Sequence, residues 1–276
     1  MKVKIIKIIQ YVIALALVVI QAFPLIWIFV TSFKNVDEFR SSNPFSLPKT
    51  FSLTNYMKIF DKGDILVYFK NSVLITGISV IFIVLLSSTA AFAISKFQFK
   101  ICKIASGYFM LGIMIPIQVA LVPLFQIYTK MHLTNSYLSL ILPQIGFALP
   151  IAIFLFTAFY EFIPKEMYEA AIVDGCEIRQ LFTRIVIPMA RNTIVTVTTI
   201  NAINIWNEFM LANTFVSDTQ MKTLPLGLYD YIGEYGYIDW GQTFAAIAIS
   251  VLPTLFVYFF LNKKIISGMA AGAVKS

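Results

Sequence analysis

Charge is scarce in this sequence. Only 13% of its 276 residues are Asp, Glu, Lys or Arg, where soluble domains carry about a quarter. So few charges leave more apolar surface than a water-soluble monomer tolerates, which excludes a soluble globular domain. Cysteine is nearly missing. Cys102 and Cys176 are too few for a metal site. The single histidine, His132, sits in a short loop beside Lys130 without the neighbours that acid–base catalysis needs. No internal repeat and no low-complexity tract is visible. No catalytic residue and no metal ligand is expected.

What the chain does have is apolar length. The hydrophobic share is 59% and the mean hydropathy is +0.81. A spanning helix needs about 20 apolar residues, and the sequence offers six such runs, near 9–31, 71–95, 105–129, 137–160, 191–213 and 243–262. The expectation is an all-α polytopic membrane protein with six transmembrane helices, forming a single transmembrane domain over 1–276. The first run opens like a signal peptide, with Lys2, Lys4 and Lys7 before Ile8. It is too long for a signal h-region and lacks a small-residue cleavage site, so it reads as an uncleaved anchor.

The net charge of +7 does not imply a nucleic-acid partner, because the basic residues sit at the ends of apolar runs. Lys96, Lys100, Lys103, Lys165, Arg179, Arg184, Arg191, Lys263, Lys264 and Lys275 fall on the same side as Lys2, Lys4 and Lys7. The positive-inside rule then places both termini in the cytoplasm. Cys102 and Cys176 lie on that side too, where a disulfide is not expected.

One inner loop is too ordered for a linker. Pro164 suits a helix start, and Lys165 to Val173 are good helix formers. Asp174-Gly175 is a turn in which glycine accepts the left-handed conformation. A second helix opens near Glu177, and Pro188 marks a boundary before the next span. A helical hairpin over 163–188 could merely connect spans. It could instead dock a cytoplasmic partner, with Ala170, Ala171 and Gly175 permitting close approach and Glu169 offering charge to a basic residue.

The spacing of Glu169, Ala170, Ala171, Gly175, Ile185 and Pro188 resembles the EAA motif of the membrane permease subunits of bacterial ABC importers. Ile187 stands where leucine is commoner. Thr31-Ser32-Phe33-Lys34, Asn55-Tyr56, Asn71-Ser72, Trp206-Asn207-Glu208-Phe209, Asp239-Trp240-Gly241 and the ending from Ser267 to Ser276 are similar to the MalG-like branch, the carbohydrate importers. The resemblance covers the whole chain and implies the type I ABC importer permease fold. It implies that Glu169, Ala170, Ala171, Asp174, Gly175, Ile185 and Pro188 couple the chain to an ATPase. The small-residue tail, with Gly268, Ala271, Gly272, Val274 and Lys275, would insert between two ATPase subunits; without the resemblance it reads as a frayed end. The outer segment with Tyr229, Tyr231, Tyr235 and Trp240 would meet an extracytoplasmic solute-binding protein, although an interfacial aromatic belt explains some of these rings.

No GxxxxGK[ST] phosphate loop is present, so ATP and magnesium are expected on a separate ATPase and no cofactor in this chain. The implied partners are a second related permease, two ATPase subunits, the binding protein, membrane lipid and a carbohydrate, most simply an oligosaccharide. The location is the bacterial plasma membrane. Glu208 falls inside the fifth run, where a charge is costly and faces protein or water. Asn201, Asn204 and Asn207 recur at threes beside it. Helix–helix adhesion is one account of this polar stripe; the other is a translocation path through Asn204, Asn207, Glu208 and Gln118. Pro116 and Pro123 interrupt the third run, as a kink or a break. The competing functional class is an ion-gradient-driven secondary transporter, which usually carries inverted repeats and several intramembrane ionisable groups. Neither is evident. A membrane enzyme is disfavoured because the spans hold no catalytic cluster.

Overall fold

A computed structural model describes residues 2–41, 43, 45–97, 99–231 and 238–273. Among them the chain is helical, with no β-strand. In order come α1 (Lys2–Thr31), α2 (Val36–Ser41), α3 (Thr54–Lys62), α4 (Asp64–Lys96), α5 (Lys100–Ile113), α6 (Ile117–Lys130) and α7 (Tyr137–Tyr160). Then follow α8 (Lys165–Val173), α9 (Ile178–Leu181), a π turn (Phe182–Val186), α10 (Ile187–Met189), α11 (Arg191–Trp206), α12 (Met210–Phe215), α13 (Leu224–Gly227) and α14 (Trp240–Ala273). Two compact units emerge. One comprises Met1–Val67 with Gly227–Pro253, the other Tyr68–Leu226 with Thr254–Ser276.

Four helices are long and apolar enough to cross a bilayer: Ile6–Thr31, Asp64–Lys96, Tyr137–Tyr160 and Trp240–Phe260. They overlie the expected first, second, fourth and sixth spans. The third is not one straight helix. α5 and α6 meet at 99°, because Pro116 supplies no N–H and holds the residue before it out of the helical region. Pro123 stays inside α6 without ending it. The fifth expected span also breaks. α11 is a 16-residue helix rich in Thr and Asn, followed by the irregular stretch 207–209 and the six residues of α12. Its polarity and its break keep it from reading as one uninterrupted apolar span.

In the first unit, α1 leaves its apolar length exposed and ends in a polar clamp. Asn55 donates from Nδ2 to the carbonyls of Ser32 and Lys34, both at 2.8 Å. Ser32 Oγ lies 2.7 Å from Tyr56 Oη. Gly241 packs against Asn55 so closely that a Cβ there would overlap its Oδ1. Asp239 caps α14, accepting from the N–H of Gln242 at 3.2 Å. The short sequence pieces at 31–34, 55–56 and 239–241 are thus one structural device.

In the second unit, Asn71 and Ser72 hold the segment after α12. Asn71 Nδ2 donates to the carbonyls of Gln220 and Lys222 at 2.8 and 2.9 Å. Asn71 Oδ1 accepts from Tyr137 Oη at 2.8 Å, and Ser72 Oγ accepts from the N–H of Leu224 at 2.8 Å. α7 runs through the interior, with Phe156 fully buried and Tyr160 nearly so.

Candidate functional site

The inner hairpin folds as its residues require. Pro164 stands at the N-cap of α8 with φ −55° and ψ 137°, one position outside the first turn. Asp174 ends the helix, and Gly175 takes φ +78°. Three backbone bonds close the turn: Asp174 N–H to Ala170 O at 2.9 Å, Gly175 N–H to Ile172 O at 3.0 Å and Cys176 N–H to Ala171 O at 2.9 Å. Glu177 and Gln180 form a reciprocal capping box at the start of α9, which satisfies N–H groups that a helix start leaves open.

Pro188 sits inside α10, and the boundary expected there falls two residues later, at Ala190 (φ −78°, ψ 5°), before α11 begins. The chain passes through it from α9 into α11, and the N–H of Ala190 and of Ile194 still find Val186 and Ala190 four residues back. The π turn over Phe182–Val186 explains this. A proline ring clashes with the carbonyl four residues earlier, and one inserted residue widens the turn to make room. Ile185 is half-buried inside that turn and Pro188 is exposed.

Across the hairpin, Ala171 is buried while Glu169 and Ala170 are exposed. Ile172 and Val173 are 64% and 85% exposed, an apolar edge the motif reading passed over. The signal was present: two aliphatic residues beside a polar turn. Behind Glu169 lies a cavity of about 440 Å³ bounded by Phe92, Lys96, Lys165, Tyr168 and Leu181. Lys96 Nζ sits over the Tyr168 ring, 2.7 Å from its centre. Burial pushes the Tyr168 phenol up to about 12.

The polar stripe is divided by the break after α11. Asn201 is buried, and its Nδ2 donates to Val197 O at 2.8 Å. Asn201 and Asn204 line an open cavity of about 300 Å³ with Gln144, Gly112 and Ile117, beside the α5–α6 bend. Gln144 escaped the sequence reading because it is one polar residue in an otherwise apolar run. Asn207 lies outside that cavity's lining. It donates to Ile203 O at 2.8 Å and to Thr254 Oγ1 at 3.4 Å. Glu208 is not in the middle of a continuous span. It stands in the break, where its carboxylate accepts the N–H groups of Leu211 at 2.9 Å and Ala212 at 3.4 Å and so caps α12. Gln118 lies elsewhere, donating to Met210 Sδ at 3.8 Å.

Of the outer aromatic residues, Tyr229 and Trp240 are exposed and Tyr231 is 5% exposed. Burial, then Asp64 and Asp230, push the Tyr231 phenol up to about 12, and Lys62 Nζ lies 5.9 Å from its ring centre. Tyr235 lies outside the described residues. So do Val274 and Lys275, while the backbone carrying Gly268, Ala271 and Gly272 continues α14 as far as Ala273.

Likenesses to known proteins bear on this arrangement. An ABC transporter permease protein named ORF2 from Caldicellulosiruptor sp. (strain Rt8B.4) is 37% identical over 91% of this chain and 91% of its own length. The diacetylchitobiose uptake system permease protein NgcG of Streptomyces coelicolor is 33% identical over 93% of this chain and 85% of its own. A chain from the crystal structure of a bacterial ABC transporter involved in import of the acidic polysaccharide alginate superposes with a TM-score of 0.82 at 19% identity, covering 94% of this chain and 96% of that one, which shows a shared fold. Residues 83–270 match the family described as binding-protein-dependent transport system inner membrane component, and this chain, a multi-pass membrane permease subunit, belongs to that family.

Proposed function

We propose that this chain forms part of the transmembrane pathway of an ATP-driven importer for carbohydrate, most simply an oligosaccharide. It works with a second related permease, two ATPase subunits that hold ATP and magnesium, and an extracytoplasmic solute-binding protein that delivers the sugar. This chain itself holds no cofactor. Both termini face the cytoplasm of the bacterial plasma membrane, in line with the distribution of Lys and Arg.

The observation that carries the reading is the hairpin. Its turn is closed on itself by backbone bonds and a capping box, and it presents Glu169, Ile172 and Val173 outward. A rigid, internally satisfied element with a charged and apolar edge transmits a push as a body, because packed elements switch between discrete arrangements. Import of an oligosaccharide is supported by the relative named for diacetylchitobiose uptake. Asn201, Asn204 and Gln144 around their cavity are hydrogen-bonding groups suited to hydroxylated cargo crossing an apolar layer; of the stripe read from the sequence, Asn207, Glu208 and Gln118 would flank it. The tail residues Gly268, Ala271, Gly272, Val274 and Lys275 would reach the ATPase pair. The exposed Tyr229 and Trp240, with Tyr235, would meet the binding protein.

The test is uptake by the co-purified complex in proteoliposomes. ATP on the cytoplasmic side should be required, and Glu169→Lys should abolish uptake with membrane insertion unchanged. Uptake at the parent rate in that variant would remove the coupling role. Uptake driven by a proton or sodium gradient alone would identify a secondary transporter.

A further inference from the structure

The first unit contains a cavity in whose lining only Trp240 has a role above. It encloses about 300 Å³ and is lined by Trp27, Thr31, Lys34, Glu38, Phe39, Trp240 and Phe244. Four of these are aromatic, and their rings are locked together. Phe244 meets Trp27 edge-on at 5.1 Å, stacks on Phe39 at 6.1 Å and lies 6.1 Å from Trp240. The polar part of the wall is fixed as well. Lys34 is 1% exposed and Glu38 7%. Glu38 accepts the N–H groups of Asn35 at 3.4 Å and Lys49 at 2.9 Å, and Lys34 Nζ donates to Ser46 Oγ at 3.4 Å. Thr31 differs from both. It is 2% exposed, lines the same cavity, and its Oγ1 has no hydrogen-bond partner among the described residues. A buried hydroxyl left unpaired is costly, so Thr31 is a group that a hydrogen-bonding ligand in the cavity would satisfy.

We propose that this cavity is an accessory subsite for a single ring of a neutral sugar. Its volume lies at the small end of ligand pockets, room for one ring and not for a chain. One cationic and one anionic side chain in the wall balance each other, which favours a neutral ligand over an anion or a cation. Flat aromatic walls match the apolar face of a pyranose. The Thr31 hydroxyl, donor and acceptor at once, matches a sugar hydroxyl. The cavity stands where α1 ends, so with the N-terminus inside it lies toward the outer face of the membrane, the side from which a sugar arrives. The proposal rests on the carbohydrate-import reading.

Trp27 and Trp240 report on the cavity directly, and Trp206 is the remaining tryptophan. In the Trp206→Phe background, the complex in lipid nanodiscs should change its indole emission saturably with maltotriose, cellotriose or diacetylchitobiose. Thr31→Val keeps the shape and removes the hydroxyl. It should raise the half-saturating concentration by about fivefold to tenfold, the worth of one hydrogen bond. The same variant in the otherwise unaltered chain should raise the half-saturating concentration for uptake. Unchanged half-saturation in Thr31→Val, or no emission change with a sugar the complex does take up, would overturn the subsite and leave the import reading intact. Emission that answers to phospholipid and not to sugar would also overturn it, by making the cavity a lipid site. A complex that takes up no sugar of any kind would sink the import reading itself.

Discussion

Gly241 opens α14 beside the side chain of Asn55, which is itself committed to two carbonyls at the end of α1. A methyl group there would collide with an amide that cannot rotate away without breaking both bonds. Gly241→Ala should therefore destabilise the purified chain by about 1–3 kcal/mol, the range for small-to-large changes in packed sites, read as a lowered midpoint in thermal unfolding. Asn55→Ala should relieve the collision, so the double variant should lose less than the two single losses added together. Gly175 differs in kind. A Cβ there meets nothing within 4 Å, but φ is +78°, so the penalty is backbone strain alone. Gly175→Ala should cost about 1 kcal/mol and slow uptake modestly. Gly175→Pro, which cannot take positive φ at all, should abolish uptake while insertion persists. Both glycines stood in the sequence pieces that carried the family resemblance. Only the turn glycine disclosed its reason there, because its demand is local.

At the scale of elements, two departures from the expected spans have the same consequence. Breaks in α5–α6 and α11–α12 leave helix ends inside the region the apolar runs assign to lipid, where each new start must satisfy its N–H groups and each new finish its carbonyls. Glu208 does this for α12. Glu208→Ala should free the N–H groups of Leu211 and Ala212 at a cost of about 1–2 kcal/mol, while Glu208→Asp, which keeps a carboxylate near those groups, should recover part of it; thermal unfolding of the purified chain measures both. A drop no larger than that of an exposed alanine substitution would remove the capping role. The π turn before Pro188 is the other element-level adjustment. Pro188→Ala removes the ring that the widened turn accommodates. The hairpin should then shift by one residue relative to α11, leaving ATP hydrolysis by the complex less tightly tied to uptake, which parallel measurements of the two rates would detect.

Across the whole molecule, α1 is the element least explained by this chain alone. The most apolar 18-residue stretch of its span has no buried residue, and Leu15 and Leu17 are 65% and 53% exposed. Lipid must cover it, or the helices of the second permease proposed above. A cysteine introduced at Leu15 should crosslink to the sister permease in the complex; labelling by a lipid-soluble maleimide at the same rate in chain and complex would show that lipid alone covers this flank. The solvent, the all-helical class, four long apolar helices and the shape of the inner hairpin were legible along the chain. Those follow from composition, from apolar run length and from single residues with fixed backbone demands, such as Gly175. The rest needed the packed chain: the bend at Pro116, Glu208 as the cap of α12, Gln144 joining Asn201 and Asn204, and the meeting of Ser32, Asn55 and Gly241. Each depends on what lies opposite a side chain, and that neighbour comes from a distant part of the chain or from a break that apolar periodicity does not register.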